Sequence, residues 1–308
     1  MITPADGVAL AKPSRLESFR ALAALLIALV LWAAAFPAIR VGLRSYGPTD
    51  LVALRLLVAS ATFGIYAAVQ RIRLPRKEDH LWFALTGFTG MTGYQVALSI
   101  GEMHVSAGSA SLIVNTSPVI IVLLAALFLR ERIPVAAWLG ILVSFGGTAL
   151  IAIGESHGTG LRFQPAALFV VLAAISTAIY VVLQKPMLSR YTPAEFTIYS
   201  VWYGSIFAVP FVPHMLTAVR TAAPQSTWAA IFLGVMCTAA AYAAWSFAFA
   251  RIPMAKAVSA LYLIPIIAIV ISFFWLREVP NSLSLLGGLL ALSGVVIVTK
   301  TGGSTLDG

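Results

Sequence analysis

The chain has 308 residues, 60% of them hydrophobic and only 10% charged, and a formal net charge of +9. A soluble domain carries about 25% charged residues, so this composition excludes a water-soluble fold and makes lipid the solvent. Ten spans of about 20 residues would use about 200 residues, which leaves short loops, two tails and no room for a soluble catalytic domain.

Taken in chain order, apolar runs bounded by charges, proline or glycine predict ten membrane spans, at 20–43, 49–70, 81–101, 107–129, 135–153, 165–188, 194–213, 228–250, 256–276 and 282–299. Lys12, Arg15 and Arg20 ahead of the first run, with Ala33-Ala34-Ala35 near its end, resemble a secretion signal. The run continues past Pro37 to Leu43, however, which is long enough to span. Pro48, Pro134, Pro165 and Pro193 open spans, where the missing N–H of proline costs nothing. Asp50 and Glu195 follow in first turns, where the helix dipole favours an acid.

Charge placement orients the chain. Fourteen of the 20 Lys and Arg fall on the N-terminal side of the predicted spans, five on the other side, and Arg55 lies within a span. The bias predicts that both termini are cytoplasmic. It also explains the positive charge as a rim against anionic lipid rather than a nucleic-acid surface. The lone cysteine, Cys237, excludes an intrachain disulfide, and no Cys/His pair has ligand spacing, so neither metal nor cofactor is expected.

The second half repeats the first. Adding 147 turns Pro118 into Pro265, Leu129-Arg130-Glu131 into Leu276-Arg277-Glu278, Leu139-Gly140 into Leu286-Gly287 and Gly147 into Gly294. Adding 145 turns Tyr46-x-Pro48-x-Asp50 into Tyr191-x-Pro193-x-Glu195. Five spans per copy is an odd number, so the copies must lie in the membrane in opposite senses. The predicted units are a tail at 1–19, a repeat at 20–153, a loop at 154–164, an inverted repeat at 165–299 and a tail at 300–308. Inverted repeats point to a transporter with its binding site at their interface near the midplane.

These features together resemble the drug/metabolite transporter superfamily, specifically its ten-helix EamA-type exporters. The motifs are the Pro-x-Asp/Glu starts, the Ser-Ala-Gly-Ser-Ala turn at Ser106–Ala110, the Pro-centred fourth span ending in Glu and the Gly-rich fifth. The resemblance covers roughly residues 20–299 and is nearest to bacterial exporters of amino acids and related metabolites. It implies an all-α inner-membrane protein with a central cavity between two inverted five-helix repeats, and a small-molecule substrate. One departure is internal: Asn115-Thr116-Ser117-Pro118 faces Tyr262-Leu263-Ile264-Pro265 in the other copy, so the halves differ chemically at matching depth.

Arg55 has two readings: a stem packed along its helix with the head at the interface, or a planar clamp for a substrate carboxylate. The position equivalent to Arg55 in the second repeat is Ser200. Deep aromatic and amide residues are candidates to line the cavity, or else to pack between helices: Trp32, Phe36, Tyr94, Gln95, Tyr180, Gln184, Trp202, Tyr203, Tyr242, Trp245 and Tyr262, with Asn115 and Ser117. Pro118 and Pro265 each remove a helical hydrogen bond and read as either static kinks or paired hinges. Glu131 and Glu278 end their spans as caps or gate latches. Gly140-x-x-x-Ser144 and Gly287-x-x-x-Ala291 allow close helix approach, either between the fifth and tenth spans or across a dimer; a monomer is expected.

No acidic residue falls in the middle third of a predicted span. Carboxylate relays are usually intramembrane, so the sequence predicts facilitated diffusion or exchange. Three functions compete. They are a secondary exporter of amino acids or similar amphipathic metabolites, a drug pump or lipid flippase of the same fold, and an integral-membrane transferase. The last lacks an acid, metal-binding or His-Asp cluster near the headgroups.

Overall fold

A computed structural model describes residues 15–129, 134–156, 163–249, 251–252 and 260–302. Among these residues every regular element is helical. Fourteen α-helices are α1 (Arg15–Gly42), α2 (Pro48–Gln70), α3 (His80–Gly87), α4 (Tyr94–Glu102), α5 (Ala107–Val114), α6 (Ser117–Leu129), α7 (Val135–Gly154), α8 (Ala167–Met187), α9 (Pro193–Ala208), α10 (Val212–Thr221), α11 (Pro224–Phe232), α12 (Ala241–Phe249), α13 (Ile264–Leu276) and α14 (Ser282–Gly302).

Eight helical segments are long and apolar enough to cross a membrane. Large apolar side chains such as Val69, Leu142, Phe274 and Leu289 stand exposed along their flanks. That surface suits hydrocarbon, and the chain is a multi-pass membrane protein. Two further helical stretches fall outside the eight. The Leu261–Leu276 helix is shorter. The stretch 80–102 is helical throughout but carries Thr92, Gln95, Ser99 and Glu102 as buried polar residues.

Boundaries depart from the sequence reading in physically clear ways. Pro118 does not kink a continuous helix. The chain breaks at Asn115–Thr116, and Pro118 stands in the first turn of α6. The freed groups are met locally: Asn115 Nδ2 donates to Ser111 O at 2.9 Å and Thr116 Oγ1 to Ile113 O at 2.7 Å. Pro265 likewise opens α13, after a 3-10 turn at Leu261–Leu263. The seventh segment runs on to Thr221, and the eighth starts at Pro224, before the predicted 228.

The two halves interlock through equivalent positions. Helices α7 and α14 pack backbone on backbone. A side chain at Gly140 would strike Gly294, and one at Gly147 would strike Gly287 and Ala291. Numbering rises along one helix as it falls along the other, so the pair is antiparallel. Shifting the two members of the first pairing by the repeat offset of 147 yields the second. Ser144 faces Gly294. Ser60 and Ser205, separated by 145 residues, bond through their hydroxyls at 2.6 Å where α2 meets α9. The Tyr-x-Pro turns reach across in matching ways: Tyr46 Oη lies 2.7 Å from Thr227 Oγ1, and Tyr191 Oη donates to Asp79 Oδ2 at 2.7 Å. The acids of those turns diverge. Glu195 forms a capping box with Thr192, whereas Asp50 is buried with His214 Nδ1 at 2.8 Å from both its oxygens.

A π turn interrupts each third segment, at Phe88–Gly93 and at Leu233–Ala240. The two starting residues are again 145 apart. Such turns add a residue to the helix and re-aim the side chains beyond it.

The close approach of α7 and α14 sets a test. A Cβ at Gly147 meets main-chain atoms of α14, while one at Gly146 meets nothing within 4 Å. Gly147→Val is expected to cost about 1–3 kcal/mol through overpacking, read as a lower unfolding midpoint in detergent. Gly146→Ala is expected to hold or raise the midpoint, since alanine is better in a helix by roughly 0.5–1 kcal/mol.

Candidate functional site

Arg55 lies on the inner side of α2, 7% exposed. The π turn at Leu233–Ala240 puts Gly234 against the main-chain carbonyl of Arg55. It also presents Thr238, whose hydroxyl donates to Leu233 O at 2.9 Å and accepts from Arg55 Nε at 3.2 Å. Among the described residues no carboxylate lies within ion-pair distance of Arg55. The phenols of Tyr94 and Tyr242, the thiol of Cys237 and, beyond ion-pair distance, the carboxyl of Glu102 are in its electrostatic neighbourhood.

An aromatic wall adjoins it. Trp32 meets Tyr242 edge-on with centroids 5.2 Å apart, and its ring is 5.3 Å from Trp245. Gln95 is buried with its Oε1 unpartnered. A guanidinium set beside tryptophan and tyrosine can hold a carboxylate and a nonpolar side chain together. At the equivalent place in the other half, Ser200 Oγ lies 3.1 Å from Thr86 Oγ1, so the site has one cationic side.

The remaining candidates are distributed differently. Phe36 is in the core around α1. Tyr180 stacks on Phe196 at 5.6 Å and covers Gly90. Trp202 donates to Ser60 O at 3.3 Å, and Tyr203 is bonded to His80 and packed near Phe83. These three contacts join α2, α3 and α9 rather than surrounding Arg55. Tyr262 packs against Val119, Ile141 and Val295, away from the aromatic wall. Gln184 is half-buried near the end of α8. Ser117 is half-buried and starts α6. Glu131 lies outside the described residues.

The end of the bundle nearest Arg55 carries a second polar group. Arg40 donates from Nη2 and Nε to Glu278 Oε1, at 2.9 and 3.3 Å, and from Nη1 to the main-chain oxygen of Glu102 at 2.5 Å. A surface cleft of about 250 Å³ opens there, lined by Arg40, Leu43, Arg44, Met103 and Glu278. The Glu102 side chain beneath is fully buried, and neither carboxyl oxygen has a hydrogen-bond partner. Glu155, by contrast, accepts from Ser106 N, Ser106 Oγ, Ser109 Oγ and Ser284 Oγ at 2.6–3.2 Å.

Thr238, Arg40 and Glu102 were not among the sequence candidates. Arg40 and Glu102 sit at predicted span ends, where charges ordinarily mark topology. Thr238 has no signal without the π turn. A usable clue was the polar character of the stretch around Glu102.

Comparison with known proteins places the chain. The sequence model of the EamA-like transporter family matches residues 19–153 and again 164–300. A protein of Streptantibioticus cattleyicolor described as a probable terminal-alkyne amino-acid exporter is 42% identical over 281 residues, covering 91% of this chain and 94% of the relative. The uncharacterized transporter YdfC of Bacillus subtilis is 36% identical over 265 residues, 86% of each chain. A crystal structure sharing 20% sequence identity aligns with a TM-score of 0.58 over 91% of this chain and 96% of that one, which shows a common fold.

Thr238→Val removes the acceptor of Arg55 Nε and is expected to lower stability by about 1–3 kcal/mol, the cost of an unpaired buried polar group. Adding Arg55→Met is expected to recover most of that loss. Thermal unfolding of the single and double variants checks both.

Proposed function

The chain belongs to the EamA-like transporter family, and on that premise we propose that it exports amino acids, or closely related small amphipathic metabolites, by alternating access. The observation that carries the reading is the buried guanidinium of Arg55, bonded to Thr238 with no carboxylate within ion-pair distance among the described residues. A charge held in that way needs an anionic guest. The substrate carboxylate takes that place, and Trp32, Tyr242 and Trp245 receive the side chain. The terminal-alkyne amino acid in the description of the 42% identical relative has the same two parts, a carboxylate and a nonpolar tail.

The fold reading that goes with this is ten crossings in two inverted repeats, 20–153 and 165–299, with both termini cytoplasmic in the inner membrane of the cell. The self-mapping pairs Gly140–Gly294 and Gly147–Gly287 and the Ser60–Ser205 bond support a twofold axis in the membrane plane. The 80–102 stretch and the Leu261–Leu276 helix supply the remaining two crossings. The breaks ahead of Pro118 and Pro265 serve as the paired joints as one half rocks against the other. The protein works as a monomer, since its glycine faces are used within the chain.

In liposomes the purified protein is expected to exchange radiolabelled phenylalanine or methionine. Arg55→Gln is expected to cut that flux by tenfold to a hundredfold, the roughly 1.5–3 kcal/mol of a charged hydrogen bond, while sparing an uncharged amide analogue. Equal loss of both solutes would assign Arg55 to folding instead. Movement of fluorescent lipid without any amino acid would select a flippase. Accessibility labelling is expected to find both chain ends on one face of the membrane; ends on opposite faces would rule out ten crossings.

A further inference from the structure

Glu102 ends α4 with 0% exposure, and among the described residues neither of its carboxyl oxygens has a hydrogen-bond partner. An ionised carboxylate in such a place is expensive, and the side chain sits there stably only as the neutral acid or with a cation in reach. The cation is at hand. Arg40 already bonds the main-chain oxygen of Glu102 at 2.5 Å, but its Nε and Nη2 are turned to Glu278. One guanidinium therefore stands between two carboxyl groups and serves only one of them.

We propose that Glu102 is a proton-binding site, and that its charge decides which carboxylate Arg40 holds. With a proton on Glu102, Arg40 stays on Glu278 and clasps the turn before α14 to α1 and α4. When Glu102 loses the proton, its carboxylate draws Arg40 away, Glu278 is released and this end of the bundle opens. The proposal rests on the exporter reading for its direction. At the outward-open stage the ionised Glu102 takes a proton from outside and the clasp closes. The proton then leaves to the cytoplasm once the other end has opened, and solute loads there. One proton enters for each solute that leaves, with no bond made or broken other than O–H. This replaces the uncoupled transport expected from the sequence.

Among the described residues the titratable groups near Glu102 are few. Arg40 comes from α1, Glu278 from the turn before α14, Arg55 from α2 and Tyr94 from α4 itself. His104 follows two residues later in the chain. Helix α5 brings serines and apolar residues only. Val170 of α8 and Ala166 just before it lie against neighbouring Gly101, while Tyr180 of α8 sits down at Gly90. Glu278 Oε2 is also unpartnered, so among the described residues the Glu278 side chain is held by Arg40 alone.

Two measurements test this. In liposomes with the membrane potential clamped and phenylalanine at equal concentration on both sides, an imposed pH gradient is expected to build an opposing solute gradient. One-for-one exchange gives about tenfold accumulation per pH unit. Glu102→Gln, which keeps the site neutral and the clasp closed, is expected to lose the pH drive and about tenfold in flux. Glu102→Gln with Glu278→Gln, which frees Arg40, is expected to recover exchange but still no pH drive. Accumulation by either variant equal to that of the parent, or drive by a sodium gradient instead, overturns the proposal.

The second measurement needs no solute. Spin labels at M103C and V279C, exposed positions on either side of the clasp, are expected to move apart at alkaline pH in the parent and to stay close at every pH with E102Q. Cys237 is fully buried and free, so it is left unlabelled. An identical pH response in both proteins overturns the proposal. A normal response without phenylalanine movement would count against the amino-acid reading alone.

Discussion

In hydrocarbon no hydrophobic force presses one helix against another, so cohesion must come from close packing and internal hydrogen bonds. The structure depends on this at two crossings. Helices α7 and α14 meet with Gly140, Gly147, Gly287 and Gly294 at the contact, so that main chain touches main chain. Helices α2 and α9 meet at the hydroxyl pair Ser60–Ser205. The first crossing, with main chain against main chain at its glycines, suits a fixed post. The second is held by polar contacts, the hydroxyl pair together with Trp202 and Ser205 donating to carbonyls of α2. The groups of the Arg55 site and the Arg40–Glu278 clasp hang on the helices around these crossings.

Burying polar groups imposes the second constraint. Most are satisfied nearby, as Glu155 is by three serines and Asp79 by Arg190 and Tyr191. Arg55 and Glu102 stand apart. One is a buried cation with a single hydroxyl acceptor, and the other a buried acid with no donor. They lie toward the same end of the bundle and sense each other electrostatically. A packing role would have been served as well by methionine or glutamine, which bring no charge into the lipid-bounded interior.

Much of this was legible beforehand. Run lengths located eight of the ten predicted spans as long apolar helices, the 147 offset matches the twice-repeated family unit, and the GxxxS and GxxxA spacings lie at the α7–α14 contact. Arg55 was conspicuous as the one strong charge inside a span. Other features left no trace in the sequence. The π turns leave the apolar pattern of Phe88–Gly93 and Leu233–Ala240 unaltered, because a segment rich in small and apolar residues looks alike in either helix type. The neighbours of Glu102 at this end, Arg40 and Glu278, are 62 and 176 residues away along the chain. Tyr203 and Tyr262 read equally well as lining or as packing, since a helix buried on several sides has no polar face to tell them apart.

The matched π turns bear on how the chain came to be. An extra residue in a helix rotates everything beyond it by about 100°, which would wreck an established interface unless the partner changed with it. Two separate insertions at equivalent sites would have required that disruption twice. A single insertion in an ancestral five-helix chain, before the gene doubled, required it once, in a homodimer whose two copies changed together. What followed the doubling included substitution at equivalent positions: arginine against serine at 55 and 200, asparagine against tyrosine at 115 and 262. On that history the chemical difference between the halves is the younger invention, laid over a repeated frame that was already old.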